Sequence, residues 1–291
     1  MSKIVLITGC SSGFGMISAA RLSSLGYTVY ASMRDLSKKN DLKIELDRRD
    51  TNCHMIKLDV CDDASIQKTI STIEDKEGKL DVLINNAGYG IGGFFEDLSE
   101  REIRDQFETN FFGVQKVTRF ALPLMRKTAI KSDKIFSTKI INVSSAQGRS
   151  ALPGLGAYGS SKFALEGFSE GLCLELYPFG IEVVLLEPGT FSTKAIDVNS
   201  KEAKAGSSEQ SPYIEFTNSL KHLHSKILDT RRGVGDPEDV AMIIEKIIKR
   251  RKNKLRYLAG TQAKIRVGLR SILPFNWFRK IILKITMGTA K

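Results

Sequence analysis

IVLITGCSSGFG, residues 4–15, decides the fold. Four apolar residues run into glycines spaced G-x3-G-x-G, and residues 16–25 then show helical apolar spacing among small side chains. The order predicts strand, turn, helix. At Gly9, Gly13 and Gly15 the missing side chains let backbone amides approach a pyrophosphate at the positive end of a helix. The spacing departs from the usual G-x-G-x-x-G, and three such glycines alone also suit a plain tight turn. The apolar strand before them and the helix after them make the stretch a dinucleotide signal.

Outward from this turn, residues 28–33, 54–58, 82–85, 140–144 and 182–186 read as strands. Helices are predicted over 66–77, around Asn110 behind a Ser99/Glu102 capping box, over 158–177, and from an Asp236 N-cap with Pro237 at N1 to about residue 249. Strands separated by helices imply an α/β, doubly wound parallel sheet covered on both faces, the Rossmann fold. One domain is expected over residues 1–250, with 190–235 covering the substrate, followed by a basic amphipathic extension at 251–291. Residues 127–139 read as an exposed polar insertion. The polar run at 199–211 suits a mobile cover or an inert surface excursion, with a helix around 214–228.

The 291 residues, 42% apolar, suffice for a packed enzyme-sized core. Cys10, Cys53, Cys61 and Cys173 have no C-x-x-C spacing, and His54, His222 and His224 match no zinc pattern, so reduced thiols and no metal are expected. Apolar residue 4 follows the start too closely for a leader, and no apolar run reaches about 18 residues. A cytoplasmic protein is the expectation. The net charge of +11 is concentrated in residues 246–291, which hold 14 Lys or Arg and no acid and leave the rest of the chain at −3. That distribution argues against nucleic acid.

Ser145, Tyr158 and Lys162 form S-x12-Y-x3-K. Tyrosine and lysine four residues apart share a helix face, where an ammonium stabilises a phenolate whose unperturbed pKa is about 10. Tyr158 is then the acid in carbonyl reduction and the base in alcohol oxidation, with Ser145 holding the substrate oxygen as charge develops. A packed tyrosine beside a solvated lysine is the bland alternative, which the accompanying glycine turn disfavours.

The second predicted strand ends in Met33-Arg34. A carboxylate there accepts ribose hydroxyls, whereas arginine accommodates a 2′-phosphate, so NADP(H) is favoured over NAD(H). An exposed surface arginine is the alternative, and Asp35 still lies within reach of a ribose. Ser12 adds a phosphate hydrogen bond. Asp59 is a candidate for the adenine amino group, or a helix cap before residue 66.

TGCSSGFG at 8–15, LDV at 58–60, NNAG at 85–88, Asn110, NVSS at 142–145, YGSSK at 158–162 and EPG at 187–189 together resemble the short-chain dehydrogenase/reductase family. The likeness runs in order over residues 3–193 and more loosely to about 249. With VYASMRD at 29–35 and the extended C-terminal region, it is most similar to the branch of 17β-hydroxysteroid and retinol dehydrogenases. The resemblance implies that Asn110 holds a water linking Lys162 to solvent, and that Lys162 also bonds the nicotinamide ribose. Cofactor contacts are expected from Gly9, Ser11, Ser12, Gly13, Phe14, Gly15, Arg34, Asp59, Val60, Asn86, Ala87, Gly88, Tyr158, Lys162, Pro188, Gly189 and Thr193. For Asn86, a hydrogen bond between strands is a compatible second role. The insertion at 127–139 departs from the compact family pattern.

Residues 89–95 (YGIGGFF), 151–155 (ALPGL) and the segment after Phe191 favour a hydrophobic alcohol or carbonyl of steroid, retinoid or fatty-acyl type. Residues 269–285 mix Leu, Ile, Phe and Trp277 with Arg270, Arg279, Lys280 and Lys284, which suits an anionic membrane surface, a helix packed on the domain or a homo-oligomer partner, or an acidic acyl carrier. The expected function is hydride transfer between NADP(H) and a hydrophobic alcohol/carbonyl pair. The alternatives are a dinucleotide sensor without turnover, a 3-oxoacyl-carrier-protein reductase, and an isomerase or epimerase.

Overall fold

The computed structural model describes residues 2–132, 136–191, 200–230 and 234–288. Its strands are β1 (Ile4–Ile7), β2 (Thr28–Met33), β3 (His54–Lys57), β4 (Val82–Asn85), β5 (Gly90–Gly92), β6 (Thr138–Val143), β7 (Ile181–Pro188), β8 (Ser200–Glu202) and β9 (Arg256–Ala259). The helices are α1 (Gly13–Ser24), α2 (Asn40–Asp47), α3 (Asp63–Glu77), α4 (Glu100–Phe107), α5 (Gly113–Ile130), α6 (Gly156–Leu176), α7 (Ile214–Thr230), α8 (Pro237–Lys249), α9 (Thr261–Ile272) and α10 (Phe275–Met287).

Seven parallel strands pair in the order β3-β2-β1-β4-β6-β7-β9, and helices cover both faces. Alternation along β1 explains the two cores. Val5 and Ile7 pack with Ala19 and Leu22 of α1 and Val240 and Ile244 of α8. Ile4 and Leu6 pack on the other face with Ile66 and Ile70 of α3, Val117 and Leu124 of α5, and Leu172 of α6. Each such buried aliphatic contributes about 1.5–3 kcal/mol. Because the strand order reverses beside β1, its carboxyl end and those of β4 and β6 open onto one crevice, where a doubly wound sheet binds ligands.

Glu238 and Glu245 of α8 pair with Arg21 of α1, and Glu238 also pairs with Arg49 beyond α2. These ion pairs hold the helices that frame the glycine turn. The capping box at Ser99 and Glu102 and the Asp236 cap form as expected.

Three expectations change. β9 pairs in parallel with β7, so a boundary at residue 250 separates an edge strand from its own sheet; four residues within a basic stretch gave too short an apolar signal. The insertion at 127–139 is shorter at both ends, since α5 reaches Ile130 and β6 starts at Thr138. Lys139, read as exposed, is buried and ion-paired with Glu182, which also accepts from Asn253. The basic tail is two helices, broken at Leu273-Pro274, rather than one amphipathic segment.

Candidate active site

Residues 8–15 and 85–88 lock together at the crevice. Thr8 Oγ1 accepts hydrogen bonds from the amides of Asn86 (3.0 Å) and Ala87 (2.9 Å), while Asn86 Nδ2 donates to the carbonyls of Thr8 (2.9 Å) and Gly9 (3.0 Å). Asn86 therefore clamps the glycine turn. A Cβ on Gly15 would lie 2.4 Å from both Asn86 Nδ2 and the Gly9 carbonyl, and one on Gly9, at φ +73°, would lie 2.8 Å from Ala87 Cα. Only glycine fits these two positions. The Ser12 side chain does not cap α1, and no acid stands in its first turn. The amides of Gly13, Phe14 and Gly15 thus head a helix whose positive end suits a pyrophosphate, and the turn fits a dinucleotide.

Around this turn, Phe14 meets Phe191 edge-on at 5.4 Å, and Ser11 is half-buried. Arg34 is exposed beyond β2 and makes no hydrogen bond or ion pair among the described residues. Met33 is 1% exposed, packed in the core rather than presented at the strand tip, because alternation along β2 turns it inward. The Asp35 carboxylate accepts from the Ser37 amide at 2.9 Å. Asp59 accepts from the Cys61 amide, and Asp62 caps α3, which removes the capping alternative for Asp59. Val60 is buried, its Cγ2 2.8 Å from where a Gly113 Cβ would stand.

Asn110 lies in a π-helical turn, Glu108–Phe112, between α4 and α5 rather than in a regular helix. Such turns re-aim single side chains. Fully buried, Asn110 accepts from the Tyr89 amide at 3.0 Å and donates to the Tyr89 carbonyl at 2.8 Å and Ser161 Oγ at 3.3 Å. Gly88 lies over it, since a Cβ there would be 3.0 Å from Asn110 Oδ1 and 3.8 Å from Lys162 Nζ.

Ser145 follows β6, and Tyr158 and Lys162 occupy the first two turns of α6. The Ser145 hydroxyl accepts from the Gln147 amide at 3.1 Å and donates to the Pro188 carbonyl at 3.4 Å. Burial raises the Tyr158 phenol above its ordinary pKa, while the nearby Ser145 hydroxyl and the Arg266 charge pull the other way. The expected cation is turned elsewhere: Lys162 Nζ donates to the Val143 carbonyl at 2.9 Å and lies 5.9 Å from the Tyr158 ring centroid. Burial lowers Lys162 to about 8, opposed by the Glu166 carboxylate one turn along.

Sequence reasoning missed that carboxylate and its partners. Glu166 sits at i+4 from Lys162, a spacing that could have found it. Its Oε2 accepts from Arg256 of β9, and Arg256 Nε also lies 3.5 Å from Glu187. Glu187 is fully buried, neither of its oxygens has a hydrogen-bond partner, and burial raises its pKa to about 7. Arg266 was also missed, for nothing in the sequence ties a tail arginine to residue 158.

Over the crevice, β8 pairs with β5, Phe94 stacks on Tyr213 at 4.6 Å, and Leu220 of α7 comes within 3.0 Å of a Cβ position on Gly154. Residues 89–95, 151–155 and 200–220 are thus brought together on this side of the fold, with Ile91, Leu98, Ala157 and Ala203 buried among them. Pro188 ends β7, and Gly189 is roofed by Ala263 of α9, 2.7 Å from its Cβ position. Thr193 lies outside the described residues.

Residues 3–204 match the family model described as short chain dehydrogenase. A 3-ketodihydrosphingosine reductase of Bacteroides thetaiotaomicron is 39% identical over 89% of this chain and 88% of its own. Retinol dehydrogenase 8 of Bos taurus is 33% identical over 94% and 86%. An actinorhodin polyketide ketoreductase solved with NADPH superposes with a TM-score of 0.72 at 25% identity, covering 88% of this chain and 95% of that one.

Proposed function

From its membership of the short-chain dehydrogenase/reductase family, with retinol dehydrogenase among its relatives, we propose that this oxidoreductase interconverts a hydrophobic alcohol and its ketone or aldehyde with NADP(H). The observation that carries the reading is the placement of Ser145 at the end of β6, and of Tyr158 and Lys162 on the first two turns of α6, beside the clamped glycine turn. Gly9, Gly13, Gly15, Asn86 and Gly88 would hold the dinucleotide, which supplies or accepts the hydride when bound. Ser145 holds the substrate oxygen, and Tyr158 passes the proton at that oxygen. Lys162, with Asn110 beneath Gly88, supports proton return to Tyr158. Preference for NADP(H) rests on Arg34, an unpaired exposed cation at the end of β2. The apolar cluster of Ile91, Leu98, Ala157 and Ala203 supports a lipophilic substrate, and the sphingoid and retinoid names of two relatives agree with it. A panel of ketones and alcohols with both cofactors, followed at the nicotinamide absorbance, tests the reaction; absence of stoichiometric absorbance change with every pair refutes it.

Two contacts complete the reading. No helix among the described residues is long and apolar enough to cross a membrane. Around the Pro274 corner, however, Ile272, Phe275 and Trp277 are exposed beside Arg270, Arg279 and Lys280, which suits peripheral contact with an anionic bilayer. On α6, Phe163, Gly167, Gly171 and Leu174 share an exposed stripe with open space over both glycines, which suits close packing against a second copy.

A further inference from the structure

Among the described residues, Arg266 is a half-buried cation without a hydrogen-bond or ionic partner. It stands on α9 between Ala263, which roofs Gly189, and Val267, which packs with Ala146 next to Ser145. Residues 263, 266 and 267 share one helix face, so the face that seats α9 on the crevice also carries the guanidinium. Its Nε is buried without a hydrogen-bond partner, and no atom of its side chain makes an ion pair or hydrogen bond among the described residues. Tyr158 is the titratable group whose charge it feels. The tail that supplies it, residues 246–291, contains no acid.

A guanidinium nitrogen taken out of water without an acceptor is costly to leave so. Surface arginines avoid this cost by staying solvated, and the other arginines turned inward here, Arg21, Arg49 and Arg256, each hold carboxylates. Arg266 offers a planar fork of donors on the face of α9 that packs over Gly189 and Ala146, the neighbours of Pro188 and Ser145, a geometry matched by a planar oxyanion.

We propose that Arg266 is the recognition residue for a carboxylate on the substrate, placed close to the carbonyl that is reduced. The inference rests on the oxidoreductase reading and sharpens its substrate class to an oxo or hydroxy acid with an apolar body. The apolar cluster takes the hydrocarbon, Ser145 and Tyr158 take the reacting oxygen, and Arg266 takes the acid end.

The test uses the full chain saturated with NADP+, with octanoate as probe and octanamide as its neutral match, measured by calorimetry on wild type, Arg266→Gln and Arg266→Lys. Octanoate is expected to bind wild type about tenfold or more tightly than octanamide, as a charge-assisted hydrogen-bond pair provides. Arg266→Gln should abolish that preference and Arg266→Lys should restore part of it. Equal octanoate affinity in wild type and Arg266→Gln overturns the proposal, as does absence of octanoate binding to wild type. A parallel titration of NADP+ separates the other source of an oxyanion: a loss of cofactor affinity in Arg266→Gln matching the octanoate loss assigns the guanidinium to a cofactor phosphate and overturns it too. Binding is read without turnover, so failure of every carbonyl to be reduced refutes the proposed reaction independently of this result.

Discussion

Glu166 and Lys162 form a buried carboxylate and ammonium one helical turn apart, and only the carboxylate has an ionic partner of its own, Arg256. Burial holds Lys162 at about 8, and Glu166 keeps it from falling further. Turnover that needs the ammonium should therefore decline above about pH 8. Glu166→Gln removes the upward pull, so the decline should move to lower pH by roughly half to one unit. A pH profile of kcat for both proteins checks this, and superimposable profiles would count against it.

Tyr158→Phe should bind NADPH with unchanged affinity while losing turnover by about 100-fold or more, the contribution of a positioned acid or base. Fluorescence titration and steady-state rates separate the two effects. Undiminished turnover sinks the assignment.

Gly15→Ala places a methyl where Asn86 and the Gly9 carbonyl already stand, so dinucleotide affinity should fall about tenfold or more and the melting temperature with it. Gly268→Ala, in open space on α9, is the matched control and should stabilise by about 0.5–1 kcal/mol. Thermal melts with and without NADPH read both.

Arg34→Ala should weaken NADPH binding by about tenfold or more and leave NADH binding nearly unchanged, since the guanidinium is assigned to the 2′-phosphate. Equal losses for the two cofactors would refute the preference. Met33→Asp is a poor alternative test, because Met33 is buried in the core and the new charge would destabilise the fold.

Glu187 carries a pH dependence of stability. Its folded pKa, about 7, lies above that of an ordinary carboxylate, so the folded chain holds the extra proton. Its stabilising contribution is complete below about pH 4.5 and is lost as pH rises through about 7. Glu187→Gln should remove this loss, so its melting temperature relative to wild type should be higher at pH 8 than at pH 5. A difference that is constant with pH would show that Arg149 and Arg256 neutralise the carboxylate fully.

The parallel sheet and the clamped turns were legible because each is local: apolar runs, glycines and NNAG name themselves within a few residues. The placement of Ser145, Tyr158 and Lys162 was legible for the same reason, being set by one strand end and one helix. What escaped is carried by distant pairing. β9 is four residues long and becomes a strand only by lying against β7; Lys139 looks like loop polarity until Glu182 faces it. Met33 was read from its place at the end of a strand, although alternation turns it inward. Arg256, and the face of α9 that carries Arg266, reach the crevice through contacts with residues far earlier in the chain, which periodicity cannot register.

Arg256 reaches Glu166 across 90 residues of sequence. At typical rates of synthesis the ribosome adds that length in roughly 5 to 18 seconds. Through the later part of that interval the emerging chain holds Glu166 and Glu187 without the guanidinium that later lies between them, and the first of these carboxylates shares a helix with Lys162. Burying the two acids before β9 arrives would be unfavourable, so this half of the sheet should stay loosely docked until the chain is nearly complete. Catalytic competence is then acquired late in synthesis, even though every proposed reacting side chain is encoded before residue 163.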